Sequence, residues 1–239
     1  MTGPLNGKFV VVTGATRGIG RAVAERLLAG GARVLGTGIR PDGSPPAGVE
    51  YRAVDFADDA QTNAFADEIA KLGPDILINN AGINQNAMFA DIDPVEFARI
   101  QKINVTAPFL LCRAVVPAMK AKRWGRIVTL SSIWGKISRS GRGSYSTSKF
   151  AVDGMTAALA AEVAEHGILA NCVAPGFIDT ELTRRVLGED GIRAVTAQVP
   201  ARRLGRPEEI AALVAWLVGP ENTYVSGQNI AIDGGFTRV

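Results

Sequence analysis

The sequence predicts an α/β protein: one doubly wound domain over residues 1–239, with a seven-stranded parallel sheet and helices on both faces. Three observations predict it. Short continuous aliphatic runs alternate with longer stretches whose apolar residues recur at helical spacing, the pattern of strands buried on both faces and joined by crossover helices. No low-complexity linker and no internal repeat divides the 239 residues, a length that allows one sizeable core. Glycine is abundant at 27 and aromatic content low at 6%, which suits tight backbone turns between aliphatic strands.

The elements follow in order. Phe9-Val10-Val11-Val12 is a buried strand. Arg21 to Leu28 repeats apolar residues at helical spacing and stops at Gly30-Gly31. Arg33 to Thr37 is the second strand, and Tyr51–Val54, Ile76–Ile78, Arg126–Leu130, Leu169–Val173 and Gln228–Ile232 complete the seven. Helices fit Asp59–Leu72, Pro94–Val105, Ala107–Lys122, Tyr145–Glu165 and Pro207–Leu217. The Pro- and Gly-rich stretch Arg40–Gly48 leaves too little chain between the second and third strands for a crossover helix. Ala174 to Glu189 reads as a long loop outside the sheet, a lid over a site.

Composition excludes several classes. With 47% hydrophobic and 21% charged residues, the chain is not a disordered one. Met1 to Leu5 lacks the basic start and apolar stretch of a secretory leader. No run approaches the roughly 20 apolar residues of a membrane span. Cys112 and Cys172 stand apart amid apolar neighbours, which argues for a reduced, cytoplasmic protein rather than a disulfide or zinc framework. His166 is the one histidine, so neither a Ser-His-Asp triad nor a multi-histidine metal centre is expected, and it reads as a surface residue or helix cap.

The net charge of +3 makes no case for a nucleic-acid partner, but its distribution is uneven. Between Glu96 and Asp153 there are eleven cations and no acid, so the rest of the chain carries −8. Such a stretch is either a solvated basic surface or the mark of an anionic partner.

Ligands of doubly wound sheets bind beyond the carboxyl ends of the strands. Thr13-Gly14-Ala15-Thr16-Arg17-Gly18-Ile19-Gly20 lies there, after the first strand and before the first helix. Gly14 allows a tight turn, Gly18 lets backbone approach a pyrophosphate, and Gly20 permits close helix–sheet packing, with the helix amides facing the phosphates. A ligand-free glycine turn is the plainer alternative, but this placement points to a dinucleotide in a Rossmann-type domain.

The spacing TGxxxGxG resembles the short-chain dehydrogenase/reductase family, and the likeness runs from about residue 6 to the C-terminus. Asn79-Asn80-Ala81-Gly82 is similar to the family's NNAG motif. Asn104, Ser132 and Tyr145-Ser146-Thr147-Ser148-Lys149 match its catalytic asparagine, serine and YxxxK motif, and Pro175-Gly176, Ile178 and Thr180 match its lid motif. The resemblance implies an NAD(P)-dependent oxidoreductase. Tyr145 would exchange a proton with an alcohol or alkoxide, and Ser132 would hold the substrate oxygen. Lys149 would lower the tyrosine's pKa and bind the nicotinamide ribose. Asn104 would help order a relaying water. It further implies that Gly14, Thr16, Arg17, Gly18, Ile19, Gly20, Arg40, Asp55, Phe56, Asn80, Ala81, Gly82, Tyr145, Lys149, Pro175, Gly176, Ile178 and Thr180 contact the cofactor. Spacing alone shows only that Tyr145 and Lys149 share a helix face. Taken singly, a helix-start tyrosine is a packing residue, a helix lysine is a solvated charge, and Ser131 competes with Ser132.

The residue ending the second strand separates the two cofactors, since an acid there holds the ribose diol and repels a 2′-phosphate. Gly38 stands there without charge, and Arg17 and Arg40 can pair with a phosphate, so NADP(H) is favoured over NAD(H). Asp55 matches the residue that bonds the adenine amino group, with Phe56 beside it.

Within the family the chain is most similar to 3-oxoacyl-(acyl-carrier-protein) reductases, through Ala197–Pro200, Arg203-Leu204-Gly205, Pro175–Ile178 and Gly234-Gly235-Phe236. That implies a homotetramer reducing a β-keto thioester. Of the family's two basic carrier-docking residues, one matches Arg126 and the other falls on His166. Lys136, Arg139 and Arg142, between Ser132 and Tyr145, are either surface charge or receptors for an anionic substrate group, which keeps a hydroxy-acid, sugar or polyol dehydrogenase as the second reading. A non-catalytic dinucleotide sensor is the reading from another class. Partners are thus a small carbonyl or alcohol, with no nucleic acid, membrane or metal.

Overall fold

The computed structural model describes residues 3–239, with the side chains of Leu182 and Val186 outside the description. Met1 and Thr2, the first residues of the N-terminal segment Met1 to Leu5, lie outside it too. The strands are β1 (Phe9–Val12), β2 (Arg33–Gly38), β3 (Glu50–Ala53), β4 (Ile76–Asn79), β5 (Gly125–Leu130), β6 (Ile168–Pro175) and β7 (Asn229–Ile232). The helices are α1 (Gly18–Ala29), α2 (Asp59–Leu72), α3 (Pro94–Gln101), α4 (Ala107–Lys122), α5 (Gly143–Val163), α6 (Glu181–Gln198) and α7 (Pro207–Val218).

All strand pairs are parallel, in the order β3-β2-β1-β4-β5-β6-β7. Alternate side chains of each strand feed two cores. Val10 and Val12 pack with Leu27 of α1 and Val214 of α7, whereas Val11 packs with Ile69 of α2, Val115 of α4 and Val163 of α5. Fully burying an aliphatic side chain of this size contributes about 1.5–3 kcal/mol, so the two layers dominate the folding energy. The chain winds outward in both directions from β1 and β4. The loops after these two strands therefore open the crevice in which doubly wound sheets bind ligands.

Local chemistry sets the helix ends. Asp58 accepts from the backbone N–H groups of Ala60 and Gln61 to start α2, and Gly73, at φ 59°, ends it. Asp93 caps α3, and Pro94 fits its first position.

Three features differ from the sequence reading. The helix expected over Pro94–Val105 stops at Gln101, and Lys102–Thr106 forms a π turn running into α4. Pro108 stands four residues after Asn104 and has no N–H to donate, which breaks the α-helical ladder there. Second, most of the expected lid loop is helical: Thr180 accepts from Thr183 N and starts α6, which is kinked at Gly188. Third, Arg126 is 6% exposed and donates to the carbonyls of Gly125, Gly167 and Asn222, with its guanidinium over Trp124. It is a buried tie between strand ends and not an exposed docking residue.

The predicted absence of a helix between β2 and β3 is observed. Among the described residues no helix is long and apolar enough to cross a membrane, and no cluster of potential metal ligands occurs.

Candidate active site

The crevice is pinned by side chains just after β1 and β4. Thr13 Oγ1 accepts from the amides of Asn80 and Ala81, each at 2.9 Å, and Asn80 Nδ2 donates to the carbonyls of Thr13 and Gly14. Gly14 turns the chain at φ 68°. A Cβ on Gly20 would lie 2.1 Å from Gly14 O and 2.3 Å from Asn80 Nδ2, so only glycine lets α1 sit this close to the loop. Arg17 precedes α1 without a side-chain cap, and the first turn holds no acid. The first amides of α1 thus have no side-chain acceptor, which fits a pyrophosphate. The lid start reaches the same place, since a Cβ on Gly18 would touch Thr180 at 3.4 Å. Thr16 and Ile19 belong to this loop, Ile19 packing partly into the core.

Gly38 ends β2 as expected, and space explains the missing side chain. A Cβ there would meet Tyr51 Oη at 2.7 Å and Thr16 Cγ2 at 2.8 Å. Tyr51 Oη donates to Arg40 O and braces the short β2–β3 connection. Arg17 and Arg40 are both exposed at this rim. Asp55 accepts from Ala57 N, and the Phe56 side chain turns inward, edge-on to Phe65 at 6.2 Å. The Phe56 ring therefore belongs to the core and not to the rim.

At the other end of the crevice four residues converge. Ser132 follows β5 and accepts from Trp134 N, while its neighbour Ser131 is committed to Lys149 O, which removes the ambiguity between the two serines. Tyr145 and Lys149 lie on α5, with Lys149 Nζ 5.5 Å from the tyrosine ring centre. Lys149 is buried and donates to Leu130 O at 2.6 Å. Asn104 projects from the π turn: it donates to Ile83 O and Ser148 Oγ and accepts from Ile83 N. The geometry around Gly82 locates the meeting point, because a Cβ there would be 3.2 Å from Asn104 Oδ1 and 3.8 Å from Lys149 Nζ. Pro175 ends β6, Gly176 N donates to Ile232 O, and buried Ile178 forms a parallel bridge with Gly205.

The electrostatics qualify the sequence argument. Burial pulls the Lys149 ammonium down to about 8. Within the protein, burial pushes the Tyr145 phenol above its ordinary value, opposed by the Ser132 hydrogen bond and the charge of Arg142. The expected lowering thus begins from Ser132 and Arg142, and Lys149 is not the group that opposes burial at Tyr145. Sequence reasoning gave Arg142 no part at the tyrosine itself, and only its position at the start of the same helix could have signalled one.

A parallel doubly wound sheet with this glycine cradle, beside a buried Ser and Lys and a partly exposed Tyr, defines an NAD(P)-dependent oxidoreductase. A family model described as enoyl-(acyl carrier protein) reductase matches residues 14–237. The 3-oxoacyl-(acyl-carrier-protein) reductase of Salmonella typhimurium is 40% identical over 241 residues, covering 98% of each chain. Its counterpart from Vibrio cholerae is 39% identical over 245 residues, covering 98% of this chain and 99% of the relative. Among solved structures, a gluconate 5-dehydrogenase from Burkholderia cenocepacia in complex with NADP and tartrate superposes with TM-score 0.91 at 29% identity, covering 98% and 97%. The aldohexose dehydrogenase of Thermoplasma acidophilum gives 0.91 at 31%, covering 99% and 96%. The chain belongs to the short-chain dehydrogenase/reductase family.

Proposed function

We propose that this chain interconverts a ketone and a secondary alcohol with NADP(H), using Tyr145, Ser132, Lys149 and Asn104. The observation that carries the reading is the convergence of Tyr145, Lys149, Asn104 and Gly82 at the end of the crevice away from the glycine loop. A bound nicotinamide supplies or takes the hydride. Tyr145 gives a proton to the developing alkoxide or removes one from the alcohol. Ser132 holds the substrate oxygen beside the phenol. Lys149 would bind the ribose hydroxyls of the nucleotide beside the tyrosine. The side-chain amide of Asn104 holds the loop at Ile83 to α5, which leaves a role in ordering water to its backbone carbonyl.

Gly14 to Gly20, Asn80 to Gly82, and Thr180 at the lid hold the dinucleotide in this reading. Exposed Arg17 and Arg40, beside an uncharged Gly38, support NADP(H) over NAD(H). The relatives at about 40% identity support a 3-oxoacyl thioester as substrate. The solved sugar and sugar-acid dehydrogenases, together with the cations beside Tyr145, support the second reading, a hydroxy acid, sugar or polyol. A carrier-docking role is not proposed for Arg126. Assembly as a homotetramer in the cytoplasm is part of the proposal: Phe109 of α4 and Phe150 of α5 are half-exposed, which suits burial against further copies, and both cysteines are free.

The test follows absorbance at the reduced-nicotinamide band, with NADPH and NADH against acetoacetyl thioesters, keto acids, keto sugars and cyclic ketones. Turnover with at least one carbonyl, lost by about a thousandfold or more in Tyr145→Phe with NADPH binding retained, supports the reading. Tight NADPH binding without oxidation by any carbonyl replaces it with the sensor.

A further inference from the structure

Most of the eleven cations between Glu96 and Asp153 have an evident use. Arg99 pairs with Glu96, Lys102 with Asp59 and Lys122 with Asp75, while Arg123, Arg126, Lys136 and Lys149 bind backbone carbonyls. Arg142 does not fit this pattern. It is only 9% exposed, yet among the described residues no carboxylate pairs with it. Its hydrogen-bond partner is a neutral amide, Asn86 Oδ1 at 2.7 Å, on the loop that follows β4. Its guanidinium lies 5.3 Å from the centre of the Trp134 ring, and that of Arg139 lies 5.0 Å from the same ring.

Trp134 is itself fixed, edge-on to Phe177 at 6.3 Å and Phe236 at 6.1 Å. The aromatic face and the Asn86 amide therefore hold Arg142 in one place while leaving most of its five N–H donors without an acceptor. A guanidinium stays charged at neutral pH, and since the Arg142 nitrogens that Asn86 leaves unused are not among the buried unpartnered atoms, they remain reachable by a ligand. Arg142 also stands three residues before Tyr145 at the start of α5, while Trp134 lies two residues after Ser132 and Asn86 lies in the loop that carries Gly82, so its neighbours come from the segments that bring the candidate catalytic residues together.

We propose that Arg142, assisted by Arg139, is the receptor for a carboxylate on the substrate, so that this chain acts on short oxo and hydroxy acids. The planar guanidinium fork matches a carboxylate with two parallel hydrogen bonds. The closeness of Arg142 to Tyr145 keeps the acid short, with its carboxylate next to the reacting carbon or one carbon beyond. The proposal rests on proton transfer at Tyr145 and assigns a residue to the second reading above. It also separates the two readings, because a thioester is neutral where an acid is charged.

The test uses matched pairs that differ only in that charge: acetoacetate against methyl acetoacetate, and pyruvate against methyl pyruvate, each with NADPH. The expected result is that wild-type protein prefers the acid in at least one pair by about tenfold or more in kcat/KM. Arg142→Met should lower the acid-to-ester ratio by about tenfold or more, chiefly through the KM of the acid, with partial return in Arg142→Lys. Asn86→Asp places a carboxylate against Arg142 without removing it, on an exposed loop, and should collapse the same ratio. A wild-type preference for the ester in both pairs overturns the proposal, as does an unchanged ratio in Arg142→Met and Asn86→Asp.

If neither acid nor ester is turned over, proton transfer at Tyr145 fails, and binding still tests the receptor. Calorimetry with NADPH-loaded Tyr145→Phe protein should then show acetoacetate or pyruvate binding, lost when Arg142→Met is added. Absence of carboxylate binding at millimolar concentration, or binding of inorganic phosphate alone, overturns it.

Discussion

Lys149 is 5% exposed, and burial draws its pKa from 10.5 to about 8. That drop corresponds to about 3 kcal/mol by which folding disfavours the charged form. The penalty is fully present below pH 8, where both folded and unfolded states carry the proton. It is relieved as pH rises from 8 to 10.5 and is absent above that range. Lys149→Met removes the penalty but also the Nζ hydrogen bond to Leu130 O, which leaves a buried carbonyl at a cost of about 1–2 kcal/mol. The variant should therefore be more stable than wild type by about 1–2 kcal/mol at pH 7, a rise of roughly 2–8 °C in Tm for a chain of this size. Near pH 10.5 the order should invert, leaving the variant about 1–2 kcal/mol less stable. Circular dichroism during thermal and urea unfolding, at several pH values and without added nucleotide, reads both. A variant less stable than wild type at pH 7, with a gap that does not move with pH, would refute the reasoning. Activity is expected to be lost throughout, so the charge is kept at the expense of stability.

Gly20→Ala forces a Cβ within 2.1 Å of Gly14 O and 2.3 Å of Asn80 Nδ2, and should weaken NADPH binding by about tenfold or more in a fluorescence titration. Arg126→Met leaves the carbonyls of Gly125, Gly167 and Asn222 without their donor and should cost about 3 kcal/mol in urea unfolding. The double variant Arg17→Ala, Arg40→Ala should raise the KM for NADPH by about tenfold or more while changing that for NADH much less; equal changes would remove the 2′-phosphate role. The hydrogen bond from Ser132 lowers the Tyr145 pKa, so Ser132→Ala should move the pH limb of that group upward as well as reducing turnover.

The particular elements show how far the sequence could be read. For α2 and α4 the expected bounds equal the observed ones, because Asp58 and Gly73 mark the ends of α2 and an apolar stripe marks α4. The glycine loop, the NNAG segment and the YxxxK pair were legible for the same reason: their chemistry depends on residues close together in the chain. α6 escaped because Gly188 and Gly191 interrupt a polar stretch with no apolar stripe, although Thr180 three residues before Thr183 was a usable capping signal. The π turn escaped because it reflects one missing donor, at Pro108, inside an otherwise helical pattern.

The sequence by itself determined the strand–helix alternation, the glycine turn after the first strand and the shared helix face of Tyr145 and Lys149, since spacing along one strand or helix dictates which side chains share a face; Asn104 and Ser132 were singled out by the family resemblance. It could not rank the cations. Arg126, Arg139 and Arg142 look alike in the chain, yet one is tied to carbonyls up to 96 residues away, one is exposed, and one lies buried against Trp134 and Asn86. Burial, and with it the direction of the Tyr145 and Lys149 shifts, depends on which distant segments close over a residue. Only the packed tertiary structure decides that.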